Sequence, residues 1–168
     1  MNLSKDIFRE YFLSNMKKEE LCSLVGITED GFEEYLKKHF LKSYQEKDSE
    51  MTEYMIYILF LGENVISLSN FCNVLNELLI CTWHTKHEDI ATLLQWIKRT
   101  ESVDYLVKAI DLKPQYLDYD TNCAYEVKCL WALYTIGNED AILALKRLSQ
   151  HSNTIISSKA NELLSRKN

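Results

Sequence analysis

Apolar residues recur at helical spacing from the first residues onward. Leu3, Ile7, Phe8, Tyr11 and Phe12 form one stripe and predict a helix over 3–14. A short helix over roughly 17–25 should follow and stop at Gly26. Thr28 then caps a third helix, 29–40, carrying Phe32, Tyr35, Leu36 and Phe40. The polar stretch Leu41–Glu50 reads as a linker, with Ser49 as cap of the next helix. That helix is apolar almost all round (Met51, Tyr54, Met55, Tyr57, Ile58, Leu59, Phe60), the pattern of a central one. After Gly62 a further helix is expected over 65–81, with Val65, Ile66, Leu68, Phe71, Val74, Leu75, Leu78 and Leu79. Thr85 and Glu88 have capping-box spacing and predict the start of a helix that continues through Ile90, Leu93, Leu94, Trp96 and Ile97 to Lys98-Arg99.

The last seventy residues repeat internally. Val103-x-x-Leu106-x-x-Ala109 is matched 39 residues later by Ile142-x-x-Leu145-x-x-Leu148. Tyr125-x-x-x-Cys129-x-x-Ala132-Leu133 is matched only 31 residues later by Ile156-x-x-x-Ala160-x-x-Leu163-Leu164. The difference of eight places an insert between the helices of the first pair, at Lys113–Asp120, which holds the only proline. Thr121, Asn138 and Asn153 mark helix starts and Gly137 a stop. Paired helices at this period indicate an all-α fold of stacked pairs, each needing its neighbours to bury its face. The linker divides the chain into an N-terminal helical subdomain, 1–48, and a repeat region, 49–168, expected to pack as one unit.

Composition supports helix, since four glycines and one proline leave little for tight turns. The first six residues carry no apolar signal-peptide core, which makes a cytoplasmic location the expectation. The longest apolar run, Tyr54–Leu61, is far short of the ~20 residues of a membrane span. Five cysteines without CxxC spacing read as small buried hydrophobes. The net charge of −6 is uneven: 1–49 carry −2, 50–120 carry −6 and 121–168 carry +2. No Lys or Arg lies between Lys47 and Lys86. Such a balance disfavours a nucleic-acid binder, which must neutralise phosphates, and suits a protein that receives a basic partner.

Candidate chemistry concentrates in Trp83–Ala91 and in the insert. His84 and His87 stand three apart beside Glu88 and Asp89, yet without a third ligand cluster, and the His-Glu-x-x-His spacing is absent. Helix capping and partner contact are the readings that remain, with no metal or other cofactor. No phosphate-binding or nucleophile motif occurs, so catalysis is not expected. Leu21–Thr28 has helix-turn-helix spacing, but the following helix would meet phosphates with Glu29, Asp30, Glu33 and Glu34. A packed helical hairpin is the simpler reading. The insert is rich in Tyr and Asp, a contact chemistry suited to a basic surface, though an ordinary loop with Tyr116 or Leu117 tucked inward fits equally.

Trp83-His84-x-x-His87-Glu88-Asp89-Ile90-x-x-Leu93-Leu94, Ser102-Val103-Asp104-x-Leu106, Tyr116-Leu117-x-Tyr119-Asp120 and Val127-Lys128-Cys129-x-Trp131-Ala132-Leu133 together resemble a family of small bacterial HEAT-repeat proteins, over roughly residues 75–166. That family is similar to immunity proteins of polymorphic and contact-dependent growth-inhibition toxin systems. The resemblance implies HEAT-like antiparallel helix pairs in a short right-handed α-solenoid of about ten helices. It further implies a monomer that binds a cognate toxin domain one to one and is not an enzyme. A nuclease toxin with a basic cleft would be covered by His87, Glu88, Asp89, Tyr116, Asp118, Tyr119 and Asp120, with Glu53, Glu63 and Glu77 shaping the field. A helical adaptor without a toxin partner and, more remotely, a helix-turn-helix regulator are the alternatives.

Overall fold

The computed structural model describes residues 3–14, 16–61 and 66–166. Among them are ten α-helices, four short 3-10 turns and no strand, so the fold is all-α. Contacts divide the chain into two compact units, Met1–Phe71 and Cys72–Asn168. The division falls 23 residues after the expected one at 48/49, because the apolar helix Ser49–Leu61 packs on helices of the N-terminal unit.

The first unit contains α1 (Leu3–Ser14), α2 (Lys18–Val25), α3 (Phe32–Glu46) and α4 (Ser49–Leu61). α2 ends where Gly26 adopts φ 71° and returns its N–H to the carbonyls of Cys22 and Ser23. Thr28 accepts the Gly31 N–H at 3.3 Å and opens a 3-10 turn, Glu29–Gly31, that feeds α3. α3 runs well past the expected end at residue 40. Its buried stripe Phe32, Leu36, Phe40 continues through Ser43, whose hydroxyl meets Thr52 of α4 at 3.1 Å. The polar residues of 41–46 are therefore the outer face of a helix, and the connection shrinks to Lys47 and Asp48. Asp48, rather than Ser49, caps α4 by accepting the Met51 N–H at 3.1 Å. The same carboxylate takes Lys5 at 2.7 Å and ties α1 to the α3–α4 turn. Glu33, in the first turn of α3, accepts from the Ser67 N–H at 3.1 Å and from the Asn70 amide. That carboxylate is spent within the unit.

The second unit contains α5 (Cys72–Leu79), α6 (His87–Ile97), α7 (Val103–Asp111), α8 (Ala124–Ile136), α9 (Glu139–Leu148) and α10 (Thr154–Ser165). Consecutive helices pair, α5 with α6, α7 with α8 and α9 with α10. Alternate helices also touch, α5 with α7 and α7 with α9 on one side, α6 with α8 and α8 with α10 on the other. Two layers of three helices result, the adjacency of a solenoid-like stack. The repeat positions line its core: Leu106, Ala109, Tyr125, Cys129, Ala132, Leu133, Leu145, Ala160 and Leu163 are all fully buried.

Boundaries in this unit follow local chemistry. The expected helix over 65–81 is a 3-10 turn, Leu68–Phe71, followed by α5, while Val65 lies outside the described residues. Gly137 stops α8 at φ 64°, and Asn138 and Asn153 cap α9 and α10 through the N–H groups of Ala141 and Ile155, each at 2.9 Å. Thr121 does not start α8. Its N-cap residue is Cys123, and Asp120 braces the turn before it, accepting from Asn122 N–H at 2.8 Å and Ala124 N–H at 2.7 Å. No helix among the described residues is long and apolar enough to cross a membrane.

Leu133 joins α8 to its neighbours with no exposed surface. Leu133→Ala should lower the unfolding free energy by about 2–5 kcal/mol, read as a drop in the urea midpoint.

Candidate functional site

The junction between α5 and α6 must dispose of the carbonyl groups left open where α5 ends. Backbone alone does little of this: Cys81 returns its N–H to Leu78 at 2.9 Å. Side chains do the rest. His84 Nε2–H donates to the Leu78 carbonyl at 2.8 Å, the Tyr125 hydroxyl to the Leu79 carbonyl at 3.1 Å, and His87 Nε2–H to the Cys81 carbonyl. His84 Nδ1 accepts the Lys86 N–H at 3.1 Å, which fixes that ring as the neutral Nε2–H tautomer.

His87 and His84 stack with ring centroids 4.3 Å apart, and Tyr125 meets the His87 ring edge-on at 5.4 Å. Both imidazoles are buried, His84 to 1% and His87 to 0% exposure. α6 begins at His87 with Lys86 as its N-cap residue, one position past the expected cap Thr85, and Lys86 makes no side-chain cap bond. The first N–H of α6 goes instead to the insert: Tyr116 Oη accepts it at 3.4 Å and donates its own proton to His87 Nδ1 at 3.0 Å. The tertiary bonds of the two imidazoles set this geometry, and the local cap gives way to them.

Desolvation makes the His87 imidazolium costly, and the neighbouring His84 adds to the effect, so the pKa falls from 6.5 to about 4 despite the Cys81 carbonyl. Burial likewise drives Tyr116 up to about 12, with the charges of Glu88, Asp89 and Tyr119 pushing the same way and the His87 N–H opposing. All four ring nitrogens of the two histidines have protein partners, so neither ring offers a lone pair to a metal. No group of three or more His, Cys, Asp or Glu placed to hold a metal occurs among the described residues.

Tyr116 is thus an anchor, and the insert leaves the scaffold beyond it. A 3-10 turn, Gln115–Leu117, presents Asp118 to solvent and Tyr119 at 80% exposure. Glu88 and Asp89 flank this loop at the start of α6, half-exposed and paired with Lys128 at 3.1 Å and Lys86 at 3.6 Å. Glu126, which the sequence pattern did not single out, sits half-buried in the first turn of α8. Its pKa is raised, first by burial and then by Asp120 and Glu88, with Lys113 opposing. Acids from α6, the insert and α8 therefore feel one another.

The expected contact residues fall into three groups. Glu88, Asp89, Asp118 and Tyr119 reach the surface, and Tyr116 and Asp120 hold the loop in place. His87, expected to meet a partner, is fully buried and cannot; it is the loop's internal anchor. Glu77 accepts the Tyr105 hydroxyl at 2.6 Å, from α7. Glu53 is half-exposed on α4 in the other unit, and Glu63 lies outside the described residues. Tyr125 was visible in the sequence only as a repeat marker. Its match, Ile156, carries no hydroxyl, and that difference was the available signal.

Because the folded state keeps His87 neutral, its contribution is complete above pH 6.5 and is lost as the pH falls towards about 4. Over that window wild type should lose of the order of 3 kcal/mol to this group alone. His87→Asn should be less stable at pH 7 but decline less steeply, as urea midpoints from pH 7 to 4.5 would show. Equal slopes would contradict the burial of a neutral ring. Tyr116→Phe should cost about 1–2 kcal/mol in the same measurement, since it strips a buried bond from His87.

No protein-family model, curated protein or solved structure matches this chain.

Proposed function

We propose that the chain is an immunity protein that binds and neutralises a cognate bacterial toxin domain, and that this toxin is a nuclease with a basic cleft. The observation that carries the reading is the insert: Tyr119 stands 80% exposed beside exposed Asp118, on a loop whose root is bonded into the scaffold by Tyr116 and His87. Tyrosine gives large contact area at little entropic cost, and a loop held before encounter loses little more on binding. Glu88 and Asp89, each paired with a lysine, and Glu126 flank it, and within the second unit residues 72–120 hold eight acids against five bases. Long-range attraction to a basic cleft follows from that field. The resemblance of the 75–166 region to HEAT-repeat immunity proteins points the same way. On this reading the protein works by occlusion, without catalysis or cofactor, in the cytoplasm, as a monomer that forms a one-to-one complex.

The test is co-expression with the product of each adjoining reading frame, scoring growth protection and co-purification. Protection together with a one-to-one complex is expected. Absence of both would leave an adaptor without a toxin as the better reading. Within a complex, Asp118→Lys should slow association roughly three- to tenfold at low salt and far less at high salt. Tyr119→Ala should chiefly speed dissociation, by about tenfold or more. Unchanged kinetics for both would move the interface away from the insert.

A further inference from the structure

The opposite layer of the second unit contains a feature that toxin binding through the insert does not use. Between α7 and α9 runs a groove of about 450 Å³, within the size range of ordinary ligand pockets. Its floor is apolar and closed, with Val103 at 5%, Ala144 at 6% and Leu148 at 7% exposure. Val107 is half-exposed on one wall and Leu143 stands 47% exposed on the other. Four carboxylates rim the groove (Glu101, Asp104, Asp111 and Asp140), against one guanidinium, Arg147.

Two of these acids are already answered. Glu101 faces Arg99 at 3.4 Å, and Asp111 accepts from His151 at 3.5 Å. Asp104 and Asp140 form no ion pair among the described residues and lie exposed in the first turns of α7 and α9. Helix dipoles favour acids at those positions. They do not account for an exposed leucine beside them, nor for an open groove with an apolar floor between the two helices. An apolar floor rimmed by carboxylates matches a long cationic side chain, whose aliphatic stem lies on hydrocarbon while its head meets the acids.

We propose that the α7–α9 groove is a second docking site, which takes a short basic and apolar segment of a protein partner. An arginine or lysine of that segment lays its stem on Val107, Leu143 and Leu148 and directs its charge to Asp104 and Asp140. The volume suits a few side chains of an extended peptide rather than a folded domain. The site is independent of the insert, so it stands or falls separately from the toxin reading.

The experiment uses the full chain and three fluorescein-labelled nonapeptides, alternating arginine–leucine, arginine–serine and glutamate–leucine. Anisotropy gives affinity, and methyl NMR gives location. The arginine–leucine peptide should bind best and shift the methyl signals of Val107, Leu143 and Leu148. Asp104→Asn with Asp140→Asn should weaken it at least tenfold, and Leu143→Ser should weaken it severalfold. All three changes are at exposed positions, and circular dichroism should show an intact fold. Asp118→Lys in the insert should leave binding within twofold of wild type. Equal binding of the arginine–serine peptide would reduce the effect to net charge and overturn the proposal. Equal binding of the glutamate–leucine peptide, methyl shifts away from the groove, or indifference to the paired asparagines would also overturn it.

Discussion

A helix of eight residues that ends inside a packed layer leaves about four carbonyl groups, half of its own, without helical partners. α5 is such a helix, and the usual remedy is missing: no glycine occurs between Gly62 and Gly137. Side chains supply the cap at Leu78 and Leu79, His84 from the turn itself and Tyr125 from α8, nearly fifty residues later, while His87 bonds the Cys81 carbonyl just past the helix. Each bond contributes roughly 1 kcal/mol net, but leaving a buried carbonyl unpaired costs more. The two imidazoles are therefore held in the interior as neutral donors. Their stacking, the low pKa of His87 and the late start of α6 follow from that one requirement.

The cap also decides where the surface chemistry lies. With Nε2–H given to Cys81, His87 has only Nδ1 left, and Tyr116 donates to it while accepting the first N–H of α6. The root of the insert and the start of α6 are then one hydrogen-bonded unit. Asp120 closes the loop's other end by accepting the first N–H of α8. A loop fixed at both ends by partly buried bonds can present Asp118 and Tyr119 without collapsing onto the scaffold. This is how an interior problem of helix termination becomes an exterior contact surface.

The repeat unit was the most legible part of the chain. Leu106, Ala109, Leu133, Leu145 and Leu163 announce buried helix faces through spacing alone, and Gly137, Asn138 and Asn153 act through local backbone geometry. What spacing could not show were bonds between distant residues. His87, in a polar neighbourhood, was expected to meet a partner, because its actual bonds to Cys81 and Tyr116 are set by the fold. The same holds for Asp120, which braces the turn where Thr121 was the expected start. In the first unit the polar run 41–46 hid a helix that buries only one more position, Ser43, and the linker reading followed from composition rather than from that stripe. The acids of the proposed contact surface were visible as charges. Their division into exposed contacts and structural anchors was not.

The arrangement rests on the protonation of two rings, which long-range ¹H–¹⁵N NMR of histidine-labelled protein reads directly at pH 7. If the imidazoles bond the carbonyls of the α5–α6 junction, His84 and His87 must both appear as neutral Nε2–H tautomers, with His87 Nδ1 shifted as an acceptor from Tyr116. Tyr116→Phe should remove that acceptor shift alone. An Nδ1–H tautomer at either histidine, or an imidazolium signal for His87 at this pH, would contradict the carbonyl cap and the anchoring of the insert built upon it.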